Sequence, residues 1–217
     1  MKVGVLGGSF DPIHFGHLVA AEEARVMLKL ARIIFVPAGQ PPHKLHRTLS
    51  PSEGRLEMVN IAIATNPHFE SSRVDFDRSG PHFSVDTVRI LRDQLGQRTE
   101  IFFIVGLDSL LEIGTWREPE QLLKLCHLVG VSRPGYPAVD FSKLDPRIQR
   151  SADRIVVLPI PELNISSSSL RRRVSDGLPI KYQLPEGVEE YIYAKGLYKD
   201  EGGVGRCGEQ EVQRDCR

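Results

Sequence analysis

Short, nearly continuous apolar runs alternate along this chain with stretches of helical periodicity, and that alternation limits the fold more than any other feature. The runs are Lys2–Leu6, Arg32–Pro37, Glu100–Val105, His127–Ser132 and Arg154–Leu158. Apolar residues at helical spacing occupy His17–Leu30, Ser52–Thr65, Ser84–Leu95, Pro119–Leu125, Ser167–Ser175 and Val188–Ala194. Ser50 or Ser52 is the expected N-cap of the second helix, Gly96 closes the third, and Pro119 suits a first helical turn. Phe69–Asp77 alternates weakly and reads as an edge-type strand. Strands separated by helices imply βαβ units. The expected fold is therefore α/β, Rossmann-like and doubly wound, with a mostly parallel sheet and helices on both faces. Ligands of such sheets bind where strands become loops, at their carboxyl ends. Here those points are Gly7-Gly8, Ala38-Gly39 and Gly106.

The 217 residues suit one compact domain, expected over 1–199. The loop-rich stretch from Pro134 to Pro146 lies within it. Residues 200–217 are polar, contain glycine and lack apolar periodicity, so a disordered tail is expected there. Lys plus Arg equals Asp plus Glu at 28 each, which argues against a generic polyanion binder. Nucleic acid is not an expected partner, and any phosphate affinity must come from locally placed groups. Cys126, Cys207 and Cys216 form no CxxC pair, so neither a disulfide framework nor a structural zinc site is expected. The start, MKVGVLGGSFDP, reads as a strand rather than a signal peptide, and no apolar stretch has the length of a membrane span. A soluble, cytoplasmic protein without membrane contacts is the expectation.

Five segments carry chemistry. The first is GGSFDPIHFGH, residues 7–17. Two glycines let the backbone turn tightly and approach a ligand, and Asp11-Pro12 takes the chain out of helix. His14 and His17 flank Gly16 at the mouth of a helix whose free N–H groups favour an anion. The same histidines would suit a metal, but no third ligand accompanies them. The second is ISSSSLRRR, residues 165–173, where Ser167, Ser168 and Arg171 can face one point. Alone, it reads equally well as a capped, solvated basic helix. The third is QPPHKLHR, residues 40–47, whose Lys44 follows a central strand but taken singly is a surface charge. The fourth is GPHFSVDT, residues 80–87, and the fifth GLDSLLEIGTW, residues 106–116. Asp108 there is compatible with a helix cap, and a single tryptophan, Trp116, with the core.

Together these segments resemble the HxGH nucleotidyltransferases, and among them the bacterial nicotinate-nucleotide adenylyltransferases. The resemblance rests on GGSFDPIHFGHL at 7–18, PPHK at 41–44, GPHFSVDT, GLDSLLEIGTW, ISSSSLRRRV at 165–174 and LPEGVEEYIYAKGLY at 184–198. Phe83-Ser84 stands where that family often has Tyr-Thr. The resemblance implies adenylyl transfer from ATP to nicotinate mononucleotide in NAD biosynthesis, with pyrophosphate released and Mg²⁺ carried by ATP. It implies that His14, His17, Lys44 and Arg171 act on the phosphates. ATP would meet Gly7, Gly8, Ser9, Phe10, Gly106, Asp108, Ile165, Ser167 and Ser168 as well. The mononucleotide would meet Ser84, Thr87, Lys44 and Trp116, the last by ring stacking. Two alternatives stay open: another phosphorylated acceptor such as phosphopantetheine or FMN, and a non-catalytic nucleotide-sensing regulator. The sequence leaves the oligomeric state undetermined, whether monomer or homo-oligomer.

Overall fold

The computed structural model describes residues 1–39, 49–132, 145–161 and 163–199. Six strands, β1 (Lys2–Gly8), β2 (Arg32–Pro37), β3 (Phe69–Ser71), β4 (Glu100–Gly106), β5 (His127–Ser132) and β6 (Ile155–Pro159), form one sheet. Their order is β3-β2-β1-β4-β5-β6, and every neighbouring pair is parallel. The order reverses between β1 and β4, and this switch point places Gly7-Gly8 beside Val105-Gly106 at the carboxyl edge.

The helices are α1 (Phe15–Met27), α2 (Ser52–Ile63), α3 (Ser84–Leu95), α4 (Leu107–Leu111), α5 (Pro119–Leu125), α6 (Pro146–Gln149), α7 (Ser167–Ser175) and α8 (Glu186–Ala194). Side chains alternate along each strand, so each sheet face builds a core. Val3, Val5, Ile34, Val36, Ile101 and Phe103 pack with Val85, Val88 and Leu122 of α3 and α5. Leu6, Ile33, Phe35, Phe102 and Ile104 pack on the other face with Ala21, Met58, Leu170 and Ile192 of α1, α2, α7 and α8. The doubly wound expectation is met, with the sheet wholly rather than mostly parallel.

Local details differ from the periodic reading. β3 stops at Ser71 rather than running to Asp77, because the chain turns there: Phe76 N–H bonds Arg73 C=O at 2.7 Å. The charges that follow also pair nearby, Arg73 with Glu53 and Arg78 with Asp75. The N-cap of α2 is Pro51, so neither Ser50 nor Ser52 caps it. Helix α4 begins directly after β4, too short for a periodic signal. Most of the stretch from Pro134 to Pro146 lies outside the described residues, as do residues 200–217, to which the tail expectation applied.

Candidate active site

The loop from β1 to α1 holds an improbable backbone because its surroundings leave no alternative. Phe10 has φ of +47°, in the left-handed region that non-glycine residues rarely occupy, and it is buried. Its ring lies edge-on to His17, with centroids 5.1 Å apart, and packs on Phe35. A Cβ at position 8 would stand 2.9 Å from that ring, so Gly8 makes room for it. Three of the loop's carbonyls receive a donor from elsewhere. Arg55 Nη1 donates to Ser9 O at 2.9 Å, Arg171 Nη1 to Asp11 O, and Ser167 Oγ to Pro12 O at 2.9 Å. The buried Asp11 carboxylate accepts from Tyr198 Oη at 2.7 Å and from Ser50 N at 3.4 Å. Burial, and then the adjoining Asp11 carboxylate, push the Tyr198 hydroxyl far above its ordinary pKa, so it stays a donor.

His14 is the N-cap of α1, with extended backbone, and His17 is its third helical residue. The helix thus starts two residues before the periodic pattern indicated. His17 N–H donates to His14 O at 2.9 Å, and His14 N–H donates to His17 Nδ1 at 3.3 Å. A ring nitrogen that accepts carries no proton, so the neutral His17 ring keeps its proton on Nε2. The two imidazoles stack with centroids 3.8 Å apart. Gly16 is what permits this: a Cβ there would stand 3.0 Å from His14 Nδ1. Burial lowers the His14 pKa to about 4, so it is a neutral imidazole near pH 7. Its Nδ1 is buried with no hydrogen-bond partner among the described residues.

Helix α7 closes the corner from the other side. Ser166, not Ser167 or Ser168, is its N-cap, accepting from Ser169 N at 3.1 Å. That frees Ser167 to hold the Pro12 carbonyl, while Ser168 Oγ accepts from Arg171 Nη2 at 2.9 Å. Arg171 is therefore tied at both forks of its guanidinium and held in one orientation.

Three cavities meet along this edge. The first, a corner of about 380 Å³, is lined by Gly8, Ser9, Phe10, Asp11, His14, His17, Leu49, Ile165, Ser166, Ser167, Ser168 and Arg171. The second, about 290 Å³, shares His14, His17 and Ile165 with it and extends along Gly7, Gly106, Asp108 and Leu163. The third, about 200 Å³, shares Gly8 with the first and is lined by Ser84, Thr87, Phe103, Trp116 and Arg117, with Asp75 and His82 at its wall. A chain of linked cavities of this kind has room for two nucleotides joined through phosphate. Trp116 packs on the core edge, its ring centroid 6.4 Å from that of Phe103, and also lines the third cavity. Asp108 lies in the first turn of α4, whose N-cap is Gly106, so it does not cap that helix.

Every site residue expected from sequence lines one of these cavities except Lys44, which lies outside the described residues. One role changes. Thr87 Oγ1 is buried and donates to Asp75 Oδ1 at 2.7 Å, while Arg78 Nη2 donates to Thr87 Oγ1 at 3.1 Å. Its single proton is committed to Asp75, so Thr87 holds the pocket wall instead of offering that proton to a carboxylate. The sequence reading missed Arg55, Asp75, His82 and Arg117. Arg55 sat inside an apparently amphipathic helix, and Asp75 inside an apparent strand. Arg117, next to Trp116, and His82, inside GPHFSVDT, had a local signal. Among the described residues, no group of three or more His, Cys, Asp or Glu side chains is placed to hold a metal ion, and no helix is long and apolar enough to cross a membrane.

Comparison with known proteins points the same way as this geometry. Residues 5–173 match the family described as cytidylyltransferase-like. A probable nicotinate-nucleotide adenylyltransferase of Moorella thermoacetica is 45% identical over 91% of this chain and 92% of its own length. One of the same name from Acidothermus cellulolyticus is 45% identical over 93% and 96%. Among solved structures, the Plasmodium falciparum nicotinic acid mononucleotide adenylyltransferase complexed with NaAD superposes with a TM-score of 0.73. It covers 91% of this chain and 97% of its own, at 20% identity, and establishes the fold.

Proposed function

The chain belongs to the cytidylyltransferase-like family, and within it to the nicotinate-nucleotide adenylyltransferases, and from that premise we propose how its own residues carry the transfer. It is a nucleotidyltransferase of NAD biosynthesis. ATP and nicotinate mononucleotide give deamido-NAD and pyrophosphate. A 5′-phosphate oxygen of the mononucleotide forms a bond to the α-phosphorus of ATP, and the bond from that phosphorus to the bridging oxygen of the β-phosphate breaks. Pyrophosphate leaves with the electron pair. The nucleophile is an anion near neutral pH, so no side chain needs to remove a proton and no covalent intermediate is required.

The protein's task is alignment and charge neutralisation. The cavity lined jointly by His14, His17, Ser167, Ser168 and Arg171 is the single observation that carries the assignment. His14 and His17 donate as neutral imidazoles to oxygens around the α-phosphorus, where charge develops. Arg171, pre-aimed by Ser168 and Asp11, receives the departing β- and γ-phosphates together with the N-terminus of α7. Lys44, which lies outside the described residues, is assigned to the same phosphates by the resemblance alone. Mg²⁺ enters as part of the ATP substrate. ATP places its adenosine along Gly106, Asp108 and Ile165. The nicotinate ring stacks on Trp116 in the third cavity, near Ser84 at the start of α3, and the Arg117 charge faces its carboxylate. Gly8, which lines both cavities, is where the two reactants come within reach.

The test is pyrophosphate release from ATP, Mg²⁺ and nicotinate mononucleotide, with the amidated mononucleotide, phosphopantetheine and FMN in parallel. Release with nicotinate mononucleotide well above the other three is expected. Preference for another acceptor, or silence with all four, would overturn the reading.

A further inference from the structure

Arg55 is the largest fully buried side chain of the protein's described residues, yet α2, which bears it, lines none of the three cavities. Among the described residues no carboxylate lies within ion-pair distance of its guanidinium, although the Asp11 charge is near enough to favour its cationic form. Arg55 spends its donors on backbone carbonyls: Nη1 on Ser9 O at 2.9 Å and Ala38 O at 2.7 Å, Nη2 on Gly39 O at 3.3 Å, and Nε on Ser50 O at 3.0 Å. Burying a cation against neutral acceptors is expensive, and desolvation depresses the Arg55 pKa from its ordinary value. Pinning one loop would not need such a group. What it spans gives the reason: Ser9 lines the phosphate corner, and Ala38 lines the cavity assigned to the mononucleotide.

We propose that Arg55 is a positioning residue for the transfer step, a rigid strut between the walls of the two cavities that sets how far the attacking oxygen stands from the α-phosphorus. β1 and β2 are paired up to Gly8 and Pro37, and the bond from Ala38 N to Gly8 O at 2.8 Å follows directly on that ladder. The planar fork of Arg55 carries the connection past the end of the ladder, to Ser9, Ala38 and Gly39, in a fixed plane. Each substrate touches mainly its own wall, so loosening the strut leaves each binding event intact and spoils their mutual alignment. A misplacement of about 1 Å costs up to 100-fold in a step of this kind. The proposal rests on the adenylyl-transfer reading above.

The experiment compares wild type with R55K and R55Q. Single-turnover rates are measured with both substrates saturating, and dissociation constants for nicotinate mononucleotide alone and for a non-hydrolysable ATP analogue alone. R55K is expected to fold, to bind each ligand within about threefold of wild type, and to lose about 10- to 100-fold in single-turnover rate. R55Q, which cannot span the same carbonyls, falls further. A rate in R55K within threefold of wild type overturns the proposal, as does a loss that appears in the dissociation constants instead. If neither variant folds, Arg55 is a folding determinant and the positioning role is rejected. Wild type that fails to join ATP to nicotinate mononucleotide counts against the reaction itself, an outcome separate from active wild type accompanied by equally active R55K.

Discussion

The corner assigned to the phosphates and the cavity assigned to the mononucleotide adjoin at Gly8, yet they are built in opposite ways. In the corner, the ligand-facing groups come from two short contiguous stretches, residues 8–17 and 165–171, held by bonds between those stretches. In the cavity, the wall draws on β1, β2, β4, α3 and the turn after β3, and its polar groups mostly bond one another. Thr87, Asp75 and Arg78 satisfy themselves before any ligand arrives. Both regions thus come with many polar groups already bonded, the corner across two distant stretches of chain and the cavity within its own wall. Charge recognition needs convergent donors. Ring recognition needs a fixed volume and a flat face.

Substitutions in the two regions should therefore fail differently. The largest effect is expected from His17→Ala, with turnover falling by about 10² to 10³ and the circular dichroism unchanged, because one preorganised donor at the reacting phosphate is lost. Near-normal turnover would remove His17 from the chemistry.

Next comes a pH effect confined to the corner. The folded His14 pKa is near 4 and the unfolded value about 6.5, so between those values the unfolded chain takes up a proton that the folded one refuses. Stability attributable to His14 is complete above about pH 6.5 and is lost as pH falls toward 4, by an amount on the order of 3 kcal/mol. Urea midpoints at pH 7 and pH 4.5 should diverge less in His14→Gln than in wild type. Equal divergence would mean that His14 is as readily protonated folded as unfolded.

In the cavity, Trp116→Ala should raise KM for nicotinate mononucleotide about tenfold with kcat nearly kept, the signature of lost stacking. A fall in kcat alone would place Trp116 in alignment instead. Arg117→Gln should raise the same KM about threefold for the acid substrate and leave the amidated one unchanged, since the charge is half-exposed and screened. Equal effects on both would separate Arg117 from carboxylate recognition. Smallest in activity is Thr87→Val. It should cost about 1 to 2 kcal/mol in thermal or urea unfolding by removing the hydroxyl that donates to the buried Asp75 carboxylate, while kcat/KM stays within about twofold. A strong loss of acceptor affinity at full stability would return the Thr87 hydroxyl to the ligand.

The same contrast explains what could be read without coordinates. The corner was legible because glycine, histidine, serine and arginine each did locally what their chemistry suggests, within a span of a few residues. The strands were legible because both sheet faces are covered, which leaves short runs apolar throughout. Asp75 and Arg55 were not legible. The partners that make them intelligible, Thr87 and the carbonyls of Ser9 and Ala38, lie 12 to 46 positions away. Backbone acceptors leave no trace in a sequence. Arg55 in particular blurs the apolar stripe of α2 by sending a cation inward.

The bond from Tyr198 to Asp11 spans 187 positions. A ribosome making this chain releases the histidine loop near the start of synthesis and its tyrosine anchor near the end of the described chain. Until then the Asp11 carboxylate lacks its nearest donor, and the loop has no closing latch. The last described strand ends at Pro159, so a growing polypeptide holds every strand of the sheet well before this latch can close on the histidine loop.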